Sequence, residues 1–387
     1  MEVLPDAAGA EVPDTPLGLY VHVPFCIRRC GYCAFVTYAE GETGDADAHR
    51  RWADAAVAEV ALADRVLGAD RPTLTSVYFG GGTPTSVAPE LLGRVLDAVR
   101  RRFATDPSVE VTVEANPDGL RPGQLARLRE LGVTRVSLGL QSASNRVLEL
   151  LDRTHPPERA VAAVAEARAA GFDHVSLDLI HGTPGETAAE WDATVALALG
   201  TGVDHLSAYA LAVEPGTKLA ARVRNGELPS PSGDDAADRY AVLDRACRGA
   251  GLDWYELSNW AADESARCRH NLLYWRDHHW WGVGPGAHSR IGPLRWWNPA
   301  ALGSWWDPLD RGRSPAEGHE LLGVGERRTE RLMLGIRLAE GVEVGDDVDA
   351  DAVRGAVEDG LAELRAGRLL LTDRGRLLAD LVVRRLL

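Results

Sequence analysis

Apolar and polar positions along the chain follow two periods. Short segments rich in β-branched and aromatic residues predict strands, and longer segments of helical period predict helices between them. The predicted strands are 19–23, 76–79, 109–113, 135–138, 174–179 and 205–209, and the predicted helices are 48–67, 89–101, 122–131, 143–151, 157–170 and 188–199. Because parallel neighbouring strands need a crossover connection, this alternation predicts a parallel α/β sheet covered by helices.

The loops that follow these strands carry unusual chemistry. They read CIRRCGYC, GGGTPT, EANP, GLQSAS, DLIHGTPGE and AYALAVEPGT in chain order. In barrels built from parallel strands, functional side chains collect on the loops after the strands. Six such loops at matching positions therefore predict a functional site at one end of the sheet.

Three cysteines stand close together directly after the first strand. Cys26, Cys30 and Cys33 have the spacing C-x3-C-x2-C, so their sulfurs can converge on one centre. A structural zinc site would need a fourth Cys or His at similar spacing, and Cys247 and Cys268 are distant. A [4Fe–4S] cluster normally takes four thiolates, so three would leave one iron open for an exchangeable ligand. The motif predicts such a cluster.

Polar side chains also close the other strands. Glycines 80–82 let a bound group approach the backbone, since no side chain blocks their amides. Glu114, Gln141 and Asp178 stand at or near the ends of the third, fourth and fifth strands. Carboxylates there can hold ribose hydroxyls or an ammonium group, and Arg153 can pair with a carboxylate. Salt bridges at the barrel rim are the structural alternative for each.

The chain divides by composition into four segments. Residues 1–16 are predicted to be a loose leader, 17–250 the barrel, 251–325 an aromatic-rich connecting region and 326–387 a small helical, winged-helix-like domain. Residues 221–238 are predicted to be a surface connection, and 351–364 a helix of the last domain. Nine of the eleven tryptophans fall between positions 254 and 306. This concentration indicates a lid, a ligand wall or a tight seam between domains.

Charge and composition exclude several classes of protein. The 387 residues carry a formal net charge of −15, which argues against a protein held to nucleic acid by phosphate contacts. Five cysteines do not form a disulfide framework in a chain this long, so a reducing, cytoplasmic location is expected. Neither a membrane-spanning run nor a signal peptide is found. Six arginines against three acids after residue 360 indicate a solvated helix face, or else a peripheral contact with a membrane surface or partner protein.

Taken together, these motifs resemble the radical S-adenosylmethionine (SAM) superfamily. Its signature is C-x3-C-x2-C with an aromatic residue, here Tyr32, before the last cysteine. The resemblance implies a partial (β/α)6 TIM-like barrel in which the three cysteines ligate three irons and SAM chelates the fourth. It also implies an electron donor for the cluster. An electron that enters the cluster would cleave SAM to methionine and a 5′-deoxyadenosyl radical. The SAM contacts implied are Tyr20, Gly81, Gly82, Thr83, Glu114, Gln141, Arg153, Asp178 and Ala210.

More narrowly, the segments YVHVPFC, FGGGTPT, VEANP, SLGLQS, LDRTH and LDLIHGTPGET resemble oxygen-independent coproporphyrinogen III dehydrogenases. Those enzymes carry a further cysteine where this chain has Phe35, and an N-terminal extension where it has about 16 residues before the first strand. The chain carries instead HNxxYW at 270–275, the pattern of the neighbouring HemW-type heme chaperones. Dehydrogenase activity is therefore not expected.

Within that resemblance, heme is the expected cargo and hemoproteins such as respiratory enzymes are the expected recipients. His270 can supply an axial imidazole, and Tyr274 and Trp275, with Trp280 and Trp281, can offer stacking surface. The competing ligands are His278, His279, His288 and Cys268. Two alternatives stay open: a radical SAM enzyme that decarboxylates coproporphyrinogen III or a related substrate, and an iron–sulfur protein whose aromatic belt only joins two domains.

Overall fold

The computed structural model describes residues 15–43, 46–345 and 348–387, so positions 1–14 of the predicted leader lie outside the described residues. The strands are β1 Leu17–Val23, β2 Phe25–Cys26, β3 Tyr38–Ala39, β4 Leu74–Gly81, β5 Thr105–Ala115, β6 Arg135–Gln141, β7 His174–His181, β8 His205–Ala210, β9 Asp253–Glu256, β10 Asn259–Ala261, β11 His279–Val283, β12 His288–Ile291, β13 Leu294–Trp297, β14 Gly318–Leu321, β15 Val342–Glu343, β16 Ala362–Arg365 and β17 Arg368–Leu371. The helices are α1 Ala46–Leu67, α2 Pro89–Arg102, α3 Gln124–Glu130, α4 Asn145–Leu150, α5 Pro157–Ala169, α6 Ala188–Gly200, α7 Lys218–Arg224, α8 Gly233–Gly249, α9 Arg269–Trp275, α10 Leu302–Asp310, α11 Val324–Gly335, α12 Ala350–Glu358, α13 Asp373–Leu377 and α14 Ala379–Leu386. Across these three ranges, no helix combines the length and apolarity that crossing a bilayer requires.

One large sheet organises the molecule. In the described part of the chain it contains twelve strands in the order β14-β13-β12-β11-β1-β4-β5-β6-β7-β8-β10-β9. Strands β1, β4, β5, β6, β7 and β8 are parallel neighbours in chain order, and β11 joins β1 in parallel. Antiparallel strands extend both edges. The prediction of an α/β fold with a six-strand parallel barrel is confirmed, and the sheet is wider than predicted.

The parallel strands lie in the core because helices cover them. Strand β6 is buried along its full length, and Leu19, Val21 and Phe79 are fully buried in β1 and β4. Near-continuous apolar strands of this kind are typical of parallel sheets covered by helices. The outer helices start at recognisable signals: α2 has Pro89 in its first turn, and Thr187 and Glu190 form a capping box at the start of α6.

Two predictions outside the barrel are wrong in detail. The helix expected up to position 364 is α12, which ends at Glu358, because Gly360 adopts a positive φ of 68° and strand β16 follows. The surface connection expected at 221–238 is partly helical, since α7 and α8 occupy its two ends. The propensities of neighbouring residues did not locate the boundaries between helix and loop in these two segments.

Four of the nine tryptophans between positions 254 and 306 are buried in the core. Trp260, Trp281, Trp296 and Trp305 are at most 1% exposed and lie on β10, β11, β13 and α10. Residues 253–321 thus extend both edges of the barrel sheet and pack against it. The expectation that Trp281 offers stacking surface for a ligand is wrong, because its ring is buried edge-on against Trp296.

The last part of the chain has an apolar core of its own. Buried side chains between Leu332 and Leu386 form this second cluster around the three-stranded sheet β15-β17-β16. Arg376 joins it to the barrel: its guanidinium donates to both carboxylate oxygens of Asp244, each at 2.9 Å, and lies 4.5 Å over the ring of Trp254. The winged-helix-like description and the boundaries 17–250, 251–325 and 326–387 stay predictions.

Candidate functional site

The three cysteines lie on a loop, residues 26–36, that is tied to the barrel at both ends. Strand β2, which contains Cys26, pairs with β3, and the carbonyl of Phe25 accepts a hydrogen bond from the amide of Thr83 at 2.7 Å. The ring of His22 bonds the Val36 carbonyl at 2.7 Å. All three cysteines are free thiols of intermediate exposure and line one cavity of about 460 Å³.

Each thiol has a different neighbourhood in this loop, which we call the cluster loop. The Thr83 hydroxyl lies 3.7 Å from Cys26 Sγ, and the Arg153 guanidinium lies 3.4 Å from Cys30 Sγ. Burial raises the pKa of the Cys26 thiol to about 11 and also raises the pKa of Cys33. Among the described residues, no three His, Cys, Asp or Glu side chains are grouped to hold a single metal ion. A cubane cluster binds each thiolate to a different iron, so its ligands lie farther apart than those of one ion.

The glycine segment after β4 brings bare backbone to the cavity. Gly81 has a φ of 106°, and a Cβ there would lie 2.3 Å from the ring of His22. A Cβ on Gly82 would lie 2.8 Å from the carbonyl oxygen of Val23, to which the Gly82 amide donates. Both positions therefore require glycine, and both line the cavity.

Two partly buried carboxylates face the same cavity from β5 and β7. Glu114 accepts hydrogen bonds from the Tyr78 hydroxyl at 2.7 Å and the Gly81 amide at 3.2 Å. Asp178 accepts from the Ser137 hydroxyl at 3.0 Å. Burial raises the pKa of Glu114 to about 7 against these hydrogen bonds, and burial also raises the pKa of Asp178. The cavity thus holds two acids with raised pKa values, of which Glu114 ionises near neutral pH.

Polar groups at the third side of the cavity are arranged around Arg153. Its guanidinium donates to Asn116 Oδ1 at 2.8 Å, and Asn116 Nδ2 donates to the Thr83 hydroxyl at 2.9 Å. Gln141 has a φ of 59°, and its buried Oε1 has no hydrogen-bond partner within the described residues. A residue other than glycine in this conformation, with an unused acceptor beside a cavity, is typical of a ligand site.

The structure brings together eleven of the twelve residues predicted for the cluster and for SAM. Those that line the cavity are Cys26, Cys30, Cys33, Gly81, Gly82, Thr83, Glu114, Gln141, Arg153, Asp178 and Ala210. Tyr20 stacks on Tyr78, which lines the cavity, and its own hydroxyl is bonded to His22. The sequence reasoning missed Tyr78, Asn116 and Tyr209 as site residues. Tyr78 directly precedes the motif FGGGTPT, and Asn116 stands within VEANP.

Comparison with known proteins decides the family. The model of the radical SAM superfamily matches residues 20–198. A Mycobacterium tuberculosis protein named heme chaperone HemW is 47% identical over 380 residues, which cover 98% of this chain and 96% of that protein. The chain belongs to the HemW family of radical SAM proteins. A Bacillus subtilis protein of the same name is 31% identical, covering 93% of this chain and 96% of its own.

The chain shares its fold with a solved structure. A radical SAM enzyme from Escherichia coli, coproporphyrinogen III oxidase (HemN), superposes with a TM-score of 0.83 over 98% of this chain and 92% of that chain. The two sequences are 23% identical, so the likeness shows the fold alone.

In this HemW-family chain the HNxxYW segment forms helix α9, which packs against β1, β4 and β11. His270 is 1% exposed, and both ring nitrogens are engaged: Nδ1 with the Ser76 hydroxyl and Nε2 with the Tyr274 hydroxyl, each at 2.9 Å. Burial lowers the pKa of His270 to about 3, so the ring is neutral. Its assignment as a heme ligand stays a prediction that requires one of these two hydrogen bonds to open, since an axial imidazole binds iron through a single nitrogen.

The competing ligands lie at different depths. Cys268 is buried at the start of α9 with its thiol 3.6 Å from Glu110, and His279 is buried on β11. His278 is partly buried, whereas His288 is exposed and stacks on the Trp297 ring at 5.9 Å. The structure therefore does not bring these side chains together into one ligand set around His270.

Proposed function

We propose that this protein is a heme chaperone on a radical SAM scaffold, which binds a [4Fe–4S] cluster, SAM and heme and delivers heme to hemoproteins. The observation that supports it most is full-length similarity to relatives named heme chaperone HemW, combined with a cavity lined by three cysteines, a glycine segment and two carboxylates. The recipient hemoproteins and the electron donor belong to the same proposal.

The residues present fit the proposed cluster. Cys26, Cys30 and Cys33 would hold it, and a fourth thiol is absent from the described residues that line the cavity near them; Cys268 lies with Glu110 at the far end. The guanidinium of Arg153 beside Cys30 would stabilise the negative charge of bound thiolates. When bound with SAM, such a cluster supplies one-electron chemistry to the cofactor.

The cavity also fits SAM, a nucleotide with a sulfonium, an ammonium and a carboxylate. Bare backbone at Gly81 and Gly82 allows close approach, and Gln141 offers a free acceptor. Glu114 and Asp178 provide carboxylates for the ammonium group or ribose hydroxyls, and Arg153 provides a cation for the carboxylate.

The proposal is tested by assembling the protein with its ligands. We expect anaerobically reconstituted protein to bind heme at a defined stoichiometry, seen by absorbance, and to leave coproporphyrinogen III unchanged in the presence of SAM and a reductant. Turnover of coproporphyrinogen III would instead establish the alternative, a dehydrogenase. Protein that holds a cluster but neither binds heme nor turns over coproporphyrinogen III would contradict both functions.

Histidine variants then locate the axial ligand. If His270 ligates heme iron, His270→Ala lowers heme affinity and leaves the absorbance of the cluster intact. His288→Ala is the comparison variant, since His288 is exposed and stacks on a tryptophan ring. Heme affinity that falls only in the His288 variant would remove His270 as the ligand.

The carboxylate of Glu114 predicts a pH dependence of SAM binding. Its pKa is raised to about 7 by burial, so the group is protonated at pH 6 and ionised at pH 8. The ionised form favours a cationic ligand, and the ratio of wild-type to Glu114→Gln affinity should rise with pH, by up to about tenfold per unit below pH 7. Calorimetric titrations at pH 6, 7 and 8 measure it. Because Gln carries no charge at any of these pH values, a constant ratio would show that Glu114 does not act through ionisation.

A further inference from the structure

Helix α9 is seated tightly in the barrel end opposite the cysteines. It lies where β1 and β4 begin, beside Gly18 and Ser76, whereas the site loops follow the ends of these strands. A Cβ on Gly18 would lie 2.4 Å from Leu273 and 3.1 Å from His270, so the helix occupies the space that a side chain at this position would fill. Its fit against the strands leaves little freedom for the His270 ring.

The ring of His270 forms hydrogen bonds at both nitrogens and stacks on two tyrosine rings. Ser76 and Tyr274 hold its two nitrogens. The ring stacks on Tyr78 at a centroid distance of 5.2 Å and an angle of 24°, and on Tyr20 at 6.2 Å and 28°. Tyr20 and Tyr78 are opposite each other in the parallel register of β1 and β4, which places His270 beneath both.

Hydrogen bonds connect Tyr20 to the cluster loop. The Tyr20 hydroxyl is 3.0 Å from Nδ1 of His22, and Nε2 of His22 is 2.7 Å from the Val36 carbonyl. Since a carbonyl only accepts, Nε2 carries the proton and Nδ1 accepts from Tyr20. This hydrogen-bonded series holds the loop three residues after Cys33.

Hydrogen bonds connect Tyr78 to the glycine segment. The Tyr78 hydroxyl donates to Glu114 Oε1 at 2.7 Å, and Glu114 Oε2 accepts from the Gly81 amide at 3.2 Å. Gly81 in turn lies against the ring of His22, so the two series meet beside the cavity. The two series of hydrogen bonds begin at Tyr20 and Tyr78, the two rings that stack on His270.

We propose that His270 is a positioning residue for the cofactor site: from the closed end of the barrel, its ring orients Tyr20 and Tyr78, which hold the cluster loop through His22 and the glycine segment through Glu114. This inference rests on the proposed binding of SAM at that site. It assigns to the HNxxYW histidine a role that does not require contact with heme.

The test compares variants that separate the ring from its hydrogen bonds. His270→Ala removes both, His270→Phe keeps a flat ring against the two tyrosines, and Tyr78→Phe keeps the stack but removes the hydrogen bond to Glu114. His319→Ala, at an exposed histidine on β14, is the control. Each protein is reconstituted anaerobically, and iron and sulfide content, SAM affinity and the electron paramagnetic resonance spectrum of the reduced cluster with and without SAM are measured.

We expect His270→Ala to bind SAM about tenfold or more weakly and to lose most of the SAM-induced spectral change, and Tyr78→Phe to weaken SAM binding similarly, as loss of a hydrogen bond to an ionised group would. His270→Phe should recover most of the affinity, which a general loss of stability would not predict. Wild-type SAM affinity and spectra in His270→Ala overturn the inference, as does loss of heme binding alone. If His270→Ala does not fold, wild-type SAM affinity in Tyr78→Phe overturns it. Wild-type protein that holds a cluster but binds no SAM refutes the proposed site as well.

Discussion

Alanine at Cys26, Cys30 or Cys33 is expected to leave the protein without a stable [4Fe–4S] cluster. Each thiol lies on the same short loop, and each would bind a separate iron, so two remaining thiolates do not hold the cubane. Iron and sulfide content after anaerobic reconstitution, together with the visible absorbance of the cluster, measures the effect. SAM binding should fall with cluster content, because the open iron is part of the proposed SAM site.

The control is the same substitution at a cysteine outside the cavity. Cys247 is fully buried in α8, so Cys247→Ala removes a sulfur from the apolar core without touching the cluster loop. It should keep full iron and sulfide content. If the loop variants also keep their iron, or if the purified wild-type protein holds zinc, the three cysteines are not the ligands of a cluster.

Alanine at Gly81 is expected to disrupt SAM binding by about a hundredfold, equivalent to ~3 kcal/mol. The positive φ of 106° strains any side chain, at about 1–3 kcal/mol, and the added Cβ would lie 2.3 Å from His22. His22 must then move, and its hydrogen bond to Val36 in the cluster loop moves with it. Calorimetric titration of SAM into the reconstituted variant measures the loss.

Gly216 offers a matched comparison for this substitution. It also has a positive φ, 84°, but a Cβ there meets no atom of the described structure within 4 Å. Gly216→Ala therefore reports the backbone strain alone, and its SAM affinity should stay near that of the wild type. Equal losses in the two variants would show that contact with His22 is unimportant.

The candidate site combines features that separate positions in the chain could not show. The motifs located the cysteines, the glycines and Glu114, because each stands at the end of a strand whose period is readable locally. The hydrogen bond between Arg153 and Asn116, 37 positions apart, joins two loops, and no local pattern encodes it. Tyr78 was missed for the same reason: within β4 it has the pattern of an ordinary strand residue.

The aromatic residues show most clearly what the sequence alone could not predict. A histidine among tryptophans has the same pattern whether the rings line a ligand site or fill a core. The structure places four of these tryptophans in the core and engages both nitrogens of His270. Burial of a ring depends on what packs over it, and here that is sheet strands from distant parts of the chain.

The amino-acid sequence by itself was enough to predict the six parallel strands, the helices between them and the clustering of three thiols after the first strand. Side-chain periodicity and the spacing of neighbouring residues determine these features. Only the tertiary structure decided that α9 closes the far end of the barrel and that His270 bonds Ser76, 194 positions away. The physical reason is that such contacts depend on register between strands and on shape, as at Gly18, where the absence of one side chain makes room for a helix.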